Sequence, residues 1–538
     1  MKRLLISAVA TIALLAAVPL ALAQTPKQGG AATITFNNDL TTLDPQVGYD
    51  WQNWSVIKSI FDGLMDYKPG TTELEPDLAE SYTVSDDGLT YTFTLRDGVK
   101  FHNGRVMTSA DVKYSFERAV NPATQSPGGG YFGMIGGYDD VAGGKVATLS
   151  GIETPDAKTV VFKLSRSDAT FLHLMAINFG YIVPKEEVEA AGADWGKKPV
   201  GTGAFKFVEW VPGQNLKLER NKDYFRAGVP ALDNLTFEFG QDPTVSVLRL
   251  KKGEVDIVGD LIPPAQFVEA QADPANKELI VEGNQLHTGY VTMNVTMAPF
   301  DNLKVRQAVN MAINKDRITR LINNRGAAAT QALPPAMPGY NPDNKGYAYD
   351  PEGAKKLLAE AGVGEIATEL YTMNVDPNPR IAQAIQQDLA AVGIKAEVRS
   401  LAQAEVIAAG GSGKAPMIWS GGMAWIADFP DPANFYHGIL GCAGAVEGGW
   451  NWSKYCNKDL DARAGKADAM AKDGQKDARI AEWKAIFDDV MKDAPWAPVM
   501  NEKRFTFHSA RLGGDASLYA DPIHIPINYD YIFAKDAQ

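Results

Sequence analysis

Asn378–Val398 reads NPRIAQAIQQDLAAVGIKAEV, and the period of its apolar residues changes once, at Gly393. Before that glycine, Ile381, Ala384, Ile385, Leu389 and Val392 recur every three or four residues, the spacing of an amphipathic helix that starts after Asn378-Pro379. After it, Ile394, Ala396 and Val398 alternate with charged residues, the spacing of a strand. A helix that stops at glycine and runs straight into a strand is the unit of open α/β lobes, whose ligands sit in crevices at strand ends. The same grammar holds on either side. Asp350 is placed to cap a helix with Pro351 in its first turn, Ala354, Leu357, Leu358 and Ala361 on one face and Gly362 at its end. Val305, Ala308, Val309, Ala312 and Ile313 form another single stripe. Upstream, Tyr91, Phe93 and Leu95 alternate with threonines as a half-buried strand, and Val211-Pro212-Gly213-Gln214 turns a hairpin between Ala204–Trp210 and Asn215–Arg220. The fold class is mixed α/β, without internal repeats or low-complexity linkers.

The chain has 538 residues, 45% hydrophobic and 22% charged, with a formal charge of −13. At roughly 150 residues per domain this is a globular protein of about three domains. Acid in excess and no basic block exclude nucleic acid and anionic membrane as partners. Lys2 and Arg3, the apolar run Leu4–Val18 and the small-x-small site Ala21-Leu22-Ala23 read as an export signal over residues 1–23, cleaved before Gln24. The competing reading is an uncleaved anchor, since the apolar run approaches the ~20 residues that span a bilayer. The polar stretch after the site favours cleavage.

Export places the two cysteines, Cys442 and Cys456, where disulfides form. The Gly-rich segment between them can bend back to close a loop worth about 3 kcal/mol. No His or further Cys stands at metal-ligand spacing beside them.

Catalytic motifs are scarce. Gly128–Gly133 fits GxGxxG by letter but follows a Pro-containing loop and not a strand. Gly413-Lys414 lacks the first glycine of a P-loop and the Ser or Thr that holds magnesium. The histidines, at 102, 173, 287, 437, 508 and 524, are scattered. The segment Met423-Ala424-Trp425-Ile426-Ala427-Asp428-Phe429-Pro430-Asp431-Pro432 stands apart, with two acids and a tryptophan in a stretch of no regular period. Asp431 is placed to cap a helix opening at Pro432. Asp428 has no such structural task, and the two acids together keep a secreted hydrolase with paired carboxylates as the second hypothesis.

Phe61-Asp62-Gly63-Leu64, Leu74–Ser81 (LEPDLAES), Ser85–Gly104 (SDDGLTYTFTLRDGVKFHNG) and Asp111-Val112-Lys113 closely resemble the family 5 extracellular solute-binding proteins, the oligopeptide- and dipeptide-binding receptors of ABC importers. The resemblance continues through Pro199–Phe205, Gly253–Asp256, Pro299-Phe300-Asp301, Val305–Ala308 and Asp428–Pro432. It implies a two-lobed periplasmic binding protein of class II that closes like a clam, with a domain inserted in the first lobe. The implied division is lobe I at 24–55, 202–280 and 500–538, the inserted domain at 56–201 and lobe II at 281–499. It further implies a monomeric, non-enzymatic periplasmic receptor without cofactor or metal. That receptor binds a peptide or peptide-like ligand and delivers it to ABC transporter permease subunits in the inner membrane. By that resemblance Asp428 grips the ligand's α-ammonium, and Met423, Ala424 and Trp425 pair with its main chain. Thr372-Met373-Asn374 and Arg380 depart from the dipeptide receptors, which carry an arginine for the ligand carboxylate before this helix, so longer or modified peptides are favoured. The same fold also serves nickel complexes, haem, glutathione and opines.

Overall fold

The computed structural model describes residues 26–49, 51–260, 262–421, 425–472, 474–514, 518 and 527–537; the export signal, Met423, Ala424 and His524 lie outside them. The helix read from Asn378 spans Asn378–Ala391, and Gly393 follows it with φ +95°, a conformation that costs least without a Cβ. The strand Ile394–Leu401 then pairs in parallel with Ile366–Met373 over eight residues. Ile381, Ile385 and Leu389 are buried in one cluster with Leu370, Ile394 and Val309, so the apolar stripe is what seats the helix on the sheet. The neighbouring helix, Pro351–Glu360, starts at Asp350, whose carboxylate accepts the Gly353 N–H at 2.9 Å. Hairpin and half-buried strand are equally in place: Phe205–Val211 pairs antiparallel with Asn215–Arg220, and Tyr91, Phe93 and Leu95 are buried.

One sheet of 12 strands runs through the described residues. At its centre is Trp496–His508, a strand of 13 residues that changes partners along its length. Trp496–Met500 pairs with Gly289–Met293, on the side that leads to Met417–Trp419, Ile366–Met373 and Ile394–Leu401. Lys503–Phe507 pairs with Ile280–Asn284, and Phe507–His508 with Ile257–Val258. Beyond these lie Ala31–Thr35, parallel to both Ile257–Val258 and Asn234–Glu238, and then the hairpin. A separate antiparallel sheet of four strands (Ala79–Val84, Thr90–Leu95, Thr159–Lys163, Ile152–Glu153) packs on the helix Ser109–Val120 through Phe116, whose ring meets Phe162 at 5.1 Å. Its core is continuous with that of the chain after residue 286: Phe132, Phe162, Phe429, Tyr436 and Trp483 belong to one buried cluster.

Cys442 and Cys456 are joined by a disulfide. The loop it closes packs on the helix Gln403–Gly411: the Gly448 N–H donates to the Gly411 carbonyl at 3.0 Å, and Trp452 is buried with Val406 and Ile418. Peptide mapping without reduction is expected to link the two cysteines, and Cys442→Ala to lower thermal stability by up to about 3 kcal/mol. Two alkylatable thiols in protein purified without reductant would contradict this.

Elsewhere four buried carboxylates, Asp62, Asp66, Asp77 and Asp530, converge. Lys58 Nζ bonds to Asp66 at 2.6 Å, and Asp62 accepts from Thr202 at 2.6 Å and Tyr224 at 2.9 Å. Arg226 pairs with Asp77 at 2.7 Å, and Asp530 closes the group near the C-terminus. Burial pushes the carboxyls of Asp62 and Asp77 up, and that of Asp530 up to about 7. An acid whose folded pKa is raised binds its proton more tightly in the folded state, so its contribution to stability is fully present below the unfolded value, near pH 4. It is lost as pH rises through about 7. Asp530→Asn removes that titration. Relative to wild type, the variant is therefore expected to gain stability as pH rises from about 4 to about 7 and to level off above that in denaturant titrations. A constant difference across that range rejects the assignment.

Candidate functional site

Asp428 and Asp431, three residues apart in one irregular segment, have opposite surroundings. Asp431 caps the helix Pro432–Tyr436 by accepting the Ala433 N–H at 2.9 Å, and Arg479 grips both of its oxygens at 2.6 and 2.8 Å. Burial alone would raise the Asp431 carboxyl, but the guanidinium outweighs it and holds the group below the usual carboxylate range. This acid is structural and fully engaged.

Asp428 is 0% exposed, and the hydroxyls that reach it come from far away in the chain. Tyr49 donates to its two oxygens at 3.1 and 3.3 Å, and Tyr131 donates to Oδ2. Asn434, two residues into the helix that Asp431 caps, organises the group from below. Its Oδ1 accepts the Asp428 N–H at 3.1 Å and the Trp425 indole N–H at 2.8 Å, and its amide donates to Tyr131 at 3.3 Å. Burial pushes the Asp428 carboxyl up to about 6, against the hydrogen bonds from Tyr131, Tyr49 and Asn434 that favour its ionised form. Burial, reinforced by the Asp428 charge, pushes both tyrosines well above 10, so they remain neutral donors.

The elements that carry these groups explain the arrangement. Ile426 and Ala427 are tied to the chain between two strands of the large sheet: Ala427 N–H donates to the Leu286 carbonyl at 2.9 Å, and Ile426 bridges His287. That tether holds Asp428 beside the partner change of Trp496–His508, where Asn501 bonds to Thr288 at 2.9 Å. Tyr131 rides on the short turn Gly129–Phe132. A Cβ on Gly128 would collide with the Phe179 ring, and one on Gly129 would lie 2.6 Å from the Ala119 carbonyl. Gly128 and Gly129 are therefore there for close packing, and the segment delivers a tyrosine to Asp428. Phe429, next to Asp428, seals the junction: its ring meets those of Tyr131 at 5.7 Å and His173 at 6.1 Å.

Of the residues singled out from sequence, Asp428 and Trp425 are brought together through Asn434, while Met423 and Ala424 lie outside the described residues. Cys442 and Cys456 are not in this group, although their loop begins four residues after Gly438, which lines the adjoining cavity. Arg380 sits on its helix in an exposed pair with Asp376 at 2.6 Å. Sequence reasoning missed Tyr49, Tyr131 and Asn434. Among the described residues no group of three or more His, Cys, Asp or Glu is placed to hold a metal ion, and no helix is long and apolar enough to cross a membrane.

The sequence profile of the bacterial extracellular solute-binding proteins, family 5 Middle, matches residues 73–447. The chain is 32% identical over 504 residues to heme-binding protein A of Haemophilus influenzae, covering 88% of this chain and 86% of that protein. It is 35% identical over 422 residues to the dipeptide-binding protein of Escherichia coli, covering 75% of this chain and 76% of that one. Among solved structures, an ABC transporter-associated periplasmic binding protein of Helicobacter pylori, in complex with peptide STSA, aligns with a TM-score of 0.78. Identity there is 26%, over 95% of this chain and 99% of that one. These relatives are named as binding proteins, and this chain shares the two-lobed fold of the periplasmic binding protein it aligns with. With a profile that spans most of its length and relatives that align over three quarters of it or more, the chain belongs to the bacterial extracellular solute-binding proteins of family 5.

Proposed function

We propose that this protein is the periplasmic receptor of an ABC importer. In this reading it captures peptides or peptide-like solutes between its lobes and passes them unchanged, as a cofactor-free monomer, to permease subunits in the inner membrane. The observation that carries the ligand class is the buried Asp428 carboxylate, held by neutral hydroxyls with its pKa raised to about 6. An α-ammonium entering this site restores the charged form and gains charge-assisted hydrogen bonds, strengthened by the absence of water. One fixed charge at the amino end, with the rest of the ligand held by its main chain, gives affinity with tolerance of sequence. The relatives named for dipeptide and for a bound peptide support this reading. The one named for heme supplies the competing ligand class.

The division into lobe I (24–55, 202–280, 500–538), inserted domain (56–201) and lobe II (281–499) belongs to the same proposal. It is supported by the exchange of strand partners near Met500 and by the four-stranded sheet lying wholly within 56–201. In this division Tyr49 comes from lobe I, Tyr131 from the inserted domain and Asp428 from lobe II. The hydroxyl–carboxylate bonds therefore bridge the cleft that the ligand closes. A hydrolase with Asp428 and Asp431 as its acid pair is disfavoured by the Arg479 clamp, which engages both oxygens of the buried Asp431 carboxylate.

Native mass spectrometry of the protein incubated with mixed short peptides, glutathione and haem is expected to retain peptides unaltered. Retention of haem or glutathione alone, or turnover of the peptide, defeats the reading. In calorimetric titrations, Asp428→Asn is expected to weaken peptide binding by about 2–5 kcal/mol, tens to thousands of times. N-acetylation of the peptide is expected to cost wild type a similar amount and the variant little more, since both delete one interaction. Additive losses reject the contact. Because the empty site must lose a proton before it meets the ammonium, wild-type affinity is expected to fall as pH drops below about 6, by up to tenfold per unit. Asp428→Asn should lose that dependence.

A further inference from the structure

Asn434 is 5% exposed, and its side-chain amide makes three hydrogen bonds that leave it a single orientation. The Asp428 backbone N–H, at 3.1 Å, and the Trp425 indole N–H, at 2.8 Å, have only a hydrogen to offer, so both must meet Oδ1. Nδ2 is thereby turned towards Tyr131 and donates to its hydroxyl oxygen at 3.3 Å. Half a turn of the amide would set its NH2 group against two N–H donors in a buried place, an arrangement that folded proteins avoid. A phenol carries one hydrogen, and with an amide donor facing Tyr131 that hydrogen goes to Asp428 Oδ2. The chain of bonds thus runs one way, from two fixed N–H groups through Asn434 and Tyr131 to the carboxylate.

We propose that Asn434 is a positioning residue that fixes the direction of the Tyr131 hydrogen and so keeps the Asp428 carboxylate supplied with a donor. The inference rests on the reading that Asp428 receives the α-ammonium of the ligand, and Asn434 acts through Asp428. Burial works against the ionised carboxylate, and each donor aimed at it works in favour. Among the described residues, the titratable groups facing Asp428 are Tyr131 and Tyr49, whose hydroxyl donates at 3.1 Å. Asp431, three residues on, faces Arg479 and His173 instead. Were the Asn434 donor replaced by an acceptor, the Tyr131 hydrogen would have two partners to choose between, and Asp428 would lose its exclusive claim.

Asn434→Asp makes that exchange, because it keeps an acceptor for the two N–H groups and puts a second acceptor before Tyr131. The measurement is the titration of Asp428 in ligand-free protein, by carbon-13 NMR of labelled aspartate carboxyls, with Asp428→Asn assigning the resonance. The wild-type resonance is expected to titrate near pH 6, and that of the variant at least about one unit higher. Part of that rise is the new charge itself, so the same substitution is made in a Tyr131→Phe background. The rise is expected to be smaller there by about half a unit or more, since the hydrogen to be diverted is gone. Equal rises in the two backgrounds, or none in either, overturn the assignment. Where Asn434→Asp does not fold, by circular dichroism, Asn434→Ala runs the same cycle without an added charge. Calorimetry with Ala-Ala-Ala from pH 5 to 7.5 then separates this inference from the reading beneath it. The pH at which affinity breaks is expected to move with the titration. A titration that moves while the break stays in place supports the role of Asn434 and removes Asp428 as the partner of the ammonium.

Discussion

Everything in this molecule hangs from the strand Trp496–His508, because two halves of the sheet draw hydrogen bonds from one piece of backbone. Backbone donors and acceptors buried at the centre of a sheet must be paired. A strand whose first residues satisfy one set of neighbours and whose last residues satisfy another thus obliges both sets to stay attached to one piece of backbone. The tether of Ala427 to Leu286 lies beside that change of partners. This is how a loop of no regular structure comes to hold Asp428 at a fixed place between parts of the chain.

The two neighbouring aspartates show how environment assigns work to identical side chains. Asp431 is neutralised by a guanidinium in the same fold unit, and such a buried pair, once formed, resists change because breaking it strands a charge. Asp428 is held by hydroxyls that belong to other parts of the chain. A carboxylate in that setting ties together parts of the chain that are far apart in sequence.

The elements were legible wherever one short stretch determines them. The helix and strand on either side of Gly393, the Asp350 cap and the hairpin at Gly213 follow from local period and local turn chemistry. Asp431 as a cap was equally visible, because capping needs only the next few residues. Asp428 was legible by exclusion and by family resemblance, as an acid without a local task. Its partners were not. Tyr49 and Tyr131 lie 379 and 297 residues away in sequence, and nothing about an isolated tyrosine says where its hydroxyl ends. Tyr131 was hidden further by a run of glycines that mimics a nucleotide motif, in which Gly128 and Gly129 pack closely against Phe179 and Ala119. The Arg479 clamp, 48 residues from Asp431, was beyond local reading for the same reason.

The two ends of the chain meet in one place, and this fixes an order of events. Arg511 donates to the Ala31 carbonyl across 480 residues, and Asp530 enters the acid cluster with Lys58. Residues near the start therefore complete their native contacts only when almost the whole chain exists, and contacts so distant in sequence form slowly. A polypeptide still being made lacks the last pieces against which its first part packs, so the amino-terminal region stays incomplete until the final residues arrive.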